Sequence, residues 1–164
     1  MDGRNVRVDE GSDGSRTVRT TVAHAQGEVL LRLSGTRQAQ AGRHTLQLGE
    51  HEHLAAPTEA PAPAWIFLNH SCAPNTYVRD LTLVALRDLA EGEALTFNYN
   101  TTEYELAEPF ECHCATCPPG HLVRGYKHLS AAERETLAPM VAPFLRAQKA
   151  SGSGSLVARL GHPT

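Results

Sequence analysis

The sequence predicts a β-rich α+β fold with its helix confined to the C-terminal part of the chain. Three observations carry this. Short runs of alternating apolar residues recur between Arg16 and Phe97, separated by Gly, Asp and Pro turn signals. Helical spacing begins only at Ser130, where Ser130-Ala131-Ala132-Glu133 matches a capping box and Leu137, Met140, Val141, Phe144 and Leu145 continue an apolar stripe. Between the two lies a cluster of three cysteines, the mark of a loop held by something other than regular structure. Strands first and helix last is an α+β order.

The elements follow in chain order. Residues 1–14 are charged and rich in Gly and Ser, and read as a flexible N-terminal arm. Val18, Thr20 and Val22 alternate, Gly27-Glu28 supplies a turn, and Val29-Leu30-Leu31 resumes an apolar strand. His44 to Leu48 has period two and stops at Gly49. Glu50 to Pro63 holds three prolines without a clear period and reads as a loop with one turn of regular structure at most. Trp65 to Leu68 is expected to be a short buried strand. Tyr77-Val78 and Leu81 to Leu86 suggest a hairpin with Arg79-Asp80 at its turn, and Leu95-Thr96-Phe97 a further strand after Gly92-Glu93. Pro139 and Pro143 interrupt or kink the terminal helix, and Ser151 to Ser155 alternates Ser and Gly as a flexible tail does.

A length of 164 residues suits one domain with its own core, and 41% hydrophobic against 20% charged residues fits a soluble globular protein. The formal net charge of −3 argues against a nucleic-acid or anionic-membrane binder and suits a cationic substrate. No run of about 18 apolar residues predicts a membrane span. The polar start Met1-Asp2-Gly3-Arg4-Asn5 lacks the apolar core of a signal peptide. The expectation is a cytoplasmic protein whose cysteines stay reduced.

Cys72 is the only cysteine outside Cys112-His113-Cys114-Ala115-Thr116-Cys117. One Cys plus three is what a single tetrathiolate zinc site requires, with Cys72, Cys112, Cys114 and Cys117 as ligands. The alternative is free or disulfide-bonded thiols. His113, wedged between two cysteines, is a competing ligand better placed pointing away.

Three stretches together carry a resemblance: Asn69-His70-Ser71-Cys72-Ala73-Pro74-Asn75, then Gly92-Glu93-Ala94-Leu95-Thr96-Phe97-Asn98-Tyr99, then the cysteine cluster. The pattern resembles the SET domain of protein lysine methyltransferases, over roughly residues 15–128. The spacing Cys-x-Cys-x-x-Cys is similar to the SET- and MYND-domain branch, since the common post-SET pattern has four residues in its last gap. The resemblance divides the chain into an arm at 1–14, a SET domain at 15–107, a post-SET zinc segment at 108–128, a helical segment at 129–149 and a flexible tail at 150–164. It implies a fold of small sheets with a pseudoknot and a zinc-stapled loop.

It also implies transfer of methyl groups from S-adenosylmethionine to an amine by direct displacement. Tyr99 matches the catalytic tyrosine, whose hydroxyl lies beside the transferring methyl. Asn69 and His70 match the pair that contacts the cofactor, the His largely through its backbone. Arg16 and Phe110 are expected at the cofactor as well, Phe110 fitting either the core or a lid over the adenine. Phe97 and Tyr104 are expected in the substrate channel, Phe97 at a position associated with higher methylation states. Packing alone also accounts for Tyr104, and for Trp65 and Tyr126.

Three features depart from the pattern, one being that Ile66 takes the place of the usual Arg before the Phe-x-Asn-His run. The opening Gly-x-Gly turn is replaced by Ser15-Arg16-Thr17, where a Cβ crowds any ligand approaching the backbone. The segment from Glu50 to Ala64, which shapes the peptide groove, is short. Three readings stay open: a protein lysine methyltransferase, an S-adenosylmethionine-dependent enzyme acting on a small-molecule amine, and a non-catalytic zinc-stapled interaction module.

Overall fold

The computed structural model describes residues 5–58 and 61–152, with side chains through 148. Twelve short strands precede two helices. The strands are β1 (Val6–Glu10), β2 (Arg16–Thr20), β3 (Val29–Arg32), β4 (Thr36–Gln38), β5 (Leu46–Gly49), β6 (Glu52–Ala55), β7 (Asn69–His70), β8 (Thr76–Arg79), β9 (Thr82–Ala85), β10 (Thr96–Phe97), β11 (Phe110–Glu111) and β12 (Leu122–Val123). The helices are α1 (Ala131–Leu137) and α2 (Pro143–Gly152). They form small sheets: the hairpins β1-β2 and β11-β12, the three-stranded β3-β9-β8 and β4-β6-β5, and a parallel pair β7-β10. No described helix is long and apolar enough to cross a membrane.

Several expectations change here. Residues 1–14 are not a loose arm throughout, because Val6–Glu10 pairs with β2 along its full length, Val8 opposite Val18. The intervening turn is closed by the Gly11 N–H on the Ser15 carbonyl at 2.8 Å. Gly14 there has φ +79°, a conformation that favours glycine. Within Glu50 to Pro63, Glu52–Ala55 is the central strand of its sheet, its Leu54 and His53 buried. The Trp65 to Leu68 run is no strand: Ala64–Phe67 forms a single 3-10 turn after Pro63, with Trp65 Nε1 donating to the Ser34 carbonyl at 2.9 Å. The β8-β9 hairpin turns at Asp80-Leu81, one residue later than expected, both at positive φ as a two-residue hairpin loop requires.

The main core is built from Val18, Leu30, Leu31, Leu83, Leu95 and Phe97 with their neighbours. Asn75 locks this core to the strand that carries the site. Its side chain is buried; Nδ2 donates to the Ala94 carbonyl at 2.8 Å and to Glu93 Oε1 at 3.2 Å, and Oδ1 accepts from the Thr96 N–H at 2.9 Å. Asn75→Ala leaves these groups without partners in a dry setting and is expected to cost about 2–3 kcal/mol. Denaturant unfolding measures it; a change under about 0.5 kcal/mol would show that the network holds nothing.

The C-terminal segment packs as a second layer. Ser130 caps α1 with both halves of the capping box formed, and the helix ends before Pro139. Leu137, Val141 and Leu145 close over Tyr126. Gly125, at φ +115°, donates its N–H to Asn100 Oδ1 at 2.8 Å, and an added Cβ would lie 2.6 Å from the Tyr104 carbonyl. This close approach fixes residues 125–127 against the loop after Tyr99. The flexible tail expected over 150–164 lies outside the described residues beyond Gly152, where α2 ends.

Candidate functional site

The parallel pairing of β7 with β10 sets Thr96 beside Asn69 and Phe97 beside His70, and the Ser71 N–H extends the ladder to the Phe97 carbonyl at 3.1 Å. The chain then leaves β10 through Asn98, whose side chain accepts from the Asn100 N–H and caps a 3-10 turn beginning at Tyr99. Two stretches far apart in sequence thus meet at one place.

That place opens into a groove of about 980 Å³, lined on one side by Gly14, Ser15 and Arg16 and on another by Asn69, His70 and Phe110. Trp65, Phe97, Tyr99 and Glu103 also line it. Tyr99 donates its hydroxyl to the Leu68 carbonyl at 2.6 Å. Burial pushes its pKa up to about 12, so the phenol stays neutral at physiological pH. Phe97, Tyr99, His70 and Phe110 form an aromatic cluster, with ring centroids 4.8 to 5.9 Å apart in the contacting pairs.

His70 is fixed from both sides. Its Nδ1 accepts the Tyr99 N–H at 3.1 Å, and its Nε2 lies 3.4 Å from Cys72 Sγ. An Nδ1 that accepts carries no proton, so the ring is the Nε2–H tautomer and donates toward the sulfur. Burial holds its pKa down to about 4, which keeps it neutral. The imidazole is therefore a strut between Tyr99 and Cys72.

Cys72, Cys112, Cys114 and Cys117 are free thiols with all four Sγ within 4.8 Å of one another. Cys72 and Cys112 stand 3.8 Å apart, Cys114 and Cys117 3.5 Å. Four thiolates bound tetrahedrally at ~2.3 Å lie about 3.8 Å apart, so the set fits one metal ion. Burial and the neighbouring sulfurs push the Cys72 thiol far above its ordinary value and Cys117 up to about 11, while the Thr116 hydroxyl holds Cys114 down to about 5. A cation among them removes the reason for two of these thiols to keep their protons. His113 is exposed and stands outside the cluster.

The remaining expected residues divide. Asn69 Nδ2 donates to the Arg16 carbonyl at 2.9 Å, tying β7 to β2, and the Arg16 guanidinium stacks 4.6 Å over the Phe67 ring. Both residues line the groove, as Phe97 and Phe110 do. Tyr104 does not: it is 38% exposed and lies near Lys127. Its backbone N–H donates to Gln47 Oε1 at 2.8 Å, while the preceding Glu103 accepts the Gln47 N–H at 2.9 Å. Of these neighbours it is Glu103, which sequence reasoning missed, that reaches the groove.

A glycine does stand beside the missing Gly-x-Gly. Gly14, one residue ahead of the expected pattern, supplies the left-handed backbone, and the space a side chain there would take is open. Residues 14–16 line the groove, while the Gly14 N–H is donated to the Gly11 carbonyl, the Ser15 N–H to Asp13 Oδ1, and the Arg16 carbonyl accepts from Asn69 Nδ2.

Comparison with known proteins agrees with this architecture. The profile of the SET domain matches residues 15–100. A histone-lysine N-methyltransferase, H3 lysine-36 specific, of Aspergillus oryzae is 43% identical over 56 residues, 29% of this chain and 6% of that protein. Methyltransferase flvH of Aspergillus flavus is 31% identical over 72 residues, 41% of this chain and 40% of that protein. The chain thus matches well under half the length of either relative. Among solved structures, KRYPTONITE in complex with mCHH DNA, H3(1-15) peptide and SAH superposes with a TM-score of 0.58 at 17% identity, over 73% of this chain and 29% of that one, a likeness of fold. With the profile match covering more than half of its length and the same small-sheet architecture around the β7-β10 crossing, the chain belongs to the SET-domain family.

Proposed function

We propose that the protein is an S-adenosylmethionine-dependent N-methyltransferase that modifies a protein lysine, with one structural zinc ion held by Cys72, Cys112, Cys114 and Cys117. The observation that carries this is Tyr99, whose hydroxyl is anchored to the Leu68 carbonyl inside a groove shared with Asn69 and His70. The lysine substrate draws on the histone-lysine enzymes among the relatives. A zinc-thiolate centre belongs in a reducing compartment, consistent with a cytoplasmic protein.

The residues present suit the cofactor. Gly14 to Arg16, the β7 residues Asn69 and His70, and the Phe110 ring, which all line the groove, would hold it. When bound, it supplies a methyl group on a sulfonium sulfur. The chain's own part is to deliver a neutral amine in line with that methyl and to exclude water. Trp65, Phe97 and Phe110 make an apolar wall that promotes loss of the proton from an amine that enters as a cation. Tyr99 donates its O–H to the Leu68 carbonyl as a hydrogen bond, which leaves the phenol oxygen to accept an N–H from the amine and orient its lone pair. With its pKa raised by burial, Tyr99 positions the amine rather than deprotonating it. Zinc would hold the segment that carries Phe110 against β7.

A second reading, transfer to a small-molecule amine, is favoured by the short segment from Glu50 to Ala64, and an ion pair between the groove-lining Arg43 and Glu108 at 4.0 Å joins two parts of the wall. The experiment is calorimetric titration with S-adenosylmethionine, followed by transfer of tritiated methyl to lysine peptides and to their Lys→Arg controls. Micromolar binding with label only on the lysine peptides is expected. Binding without peptide label moves the substrate to a small amine. No binding at millimolar cofactor to the zinc-loaded chain defeats the enzyme reading and leaves a non-catalytic module.

A further inference from the structure

We propose that Glu103 is the anionic contact through which the groove receives the positive charge of its substrate, so that the groove admits cationic amines in preference to neutral molecules of the same shape. This deepens the amine-transfer reading and rests on it. Glu103 follows the 3-10 turn of Tyr99 and lines the same groove. Its Oε1 is held by the Gln47 N–H at 2.9 Å and the Thr102 hydroxyl at 3.3 Å. Among the described residues its Oε2 has no hydrogen-bond partner, and no ion pair includes Glu103. Arg43, a cationic residue of the groove wall, is paired with Glu108 instead.

The chemistry of the two donors sharpens the point. A backbone N–H and a hydroxyl need only one carbonyl-type oxygen, which a glutamine amide provides without charge. A carboxylate at this place adds a negative charge that the fold does not use, and burial of an unpaired charge is costly. The cost is visible in the carboxyl itself, which burial pushes up to about 7. A carboxyl in the wall of a ligand groove, with one oxygen held by the fold and the other unclaimed, calls for a cation that arrives with the ligand and favours its ionised form.

The chain contains one tryptophan, Trp65, which lines the groove and reports on its occupancy. The test follows Trp65 fluorescence of the full-length chain at pH 8 during titration with n-butylammonium chloride, n-butanol and, as an ionic-strength control, sodium chloride. The wild type is expected to bind n-butylammonium about tenfold more tightly than n-butanol. In Glu103→Gln the two should bind within twofold of each other, with S-adenosylmethionine affinity and Tm no lower than in the wild type. A wild type without preference for the cation overturns the proposal, as does a Glu103→Gln chain that keeps it. A Tm loss of more than about 5 °C in Glu103→Gln overturns it too, because the carboxylate would then serve the fold. Failure of the enzyme reading is seen separately, as absence of cofactor binding in the wild type.

Discussion

Tyr99→Phe is expected to lower kcat for methyl transfer by about 10²–10³-fold while leaving the fold intact. The hydroxyl is the only atom removed. It makes one hydrogen bond, to the Leu68 carbonyl at 2.6 Å, and the ring keeps its packing against Phe97, His70 and Phe110. Loss of one neutral hydrogen bond at a half-buried site costs stability by only about 1 kcal/mol. Loss of a preorganised polar group aimed at the reacting atoms costs far more in rate, on the scale found when a single oriented donor is deleted from an active site. The split between the two effects is the diagnostic. Radiolabel transfer under saturating cofactor gives kcat, and thermal unfolding gives the control. Turnover within threefold of the wild type would remove Tyr99 from the chemistry.

How much of this was legible in the sequence depends on how local each determinant is. The cysteine arithmetic was legible, because one remote Cys and a spaced triplet have few other uses, and the four sulfurs do converge. The capping box at Ser130 was legible for the same reason, all its partners lying within four residues. Strand β1 was hidden because Arg7, Asp9 and Glu10 make Val6-Arg7-Val8-Asp9-Glu10 read as a charged arm, and even Val8 is exposed, so the strand rests on its pairing with β2. Trp65 to Leu68 misled in the opposite direction: an apolar run of four residues has no period long enough to separate strand from helix. Two-residue strands such as β7 and β10 exist only through their pairing across 27 residues of sequence separation, Asn69 with Thr96, which no local pattern encodes. Glu103 escaped notice because a Glu after Thr101-Thr102 reads as solvated. Its inward turn follows from the 3-10 turn at Tyr99 and the bend at Tyr104, which no local pattern announces.

Removal of the metal is expected to lower both stability and cofactor binding, and the geometry says why the two fall together. Cys112 is buried, and its sulfur stands 3.8 Å from Cys72 Sγ and accepts the Cys114 N–H at 3.4 Å. Without a cation these sulfurs cannot all ionise, so Cys112→Ser or chelation leaves protonated thiols where thiolates were bridged. A site filled at 1,000 times its Kd contributes about 4 kcal/mol, which in a chain of this size corresponds to a fall in Tm of about 10 °C. The main core, from Val18 to Phe97, lies outside the thiol cluster and should keep its strands. The damage should instead run along two routes into the groove. Phe110 and Cys112 to Cys114 form part of its wall, so a loosened β11 opens it to water. His70 joins Cys72 Sγ to the Tyr99 N–H, so a displaced Cys72 frees the imidazole that sets the start of the Tyr99 turn. Elemental analysis of reduced, purified protein should find about one zinc per chain. Chelation should then lower Tm and raise the Kd for S-adenosylmethionine by at least tenfold, and added zinc should restore both. A chain without zinc, or a Tm indifferent to chelator, would mean that the four thiols close the loop as a hydrophobic cluster and that the strut through His70 transmits nothing from a metal.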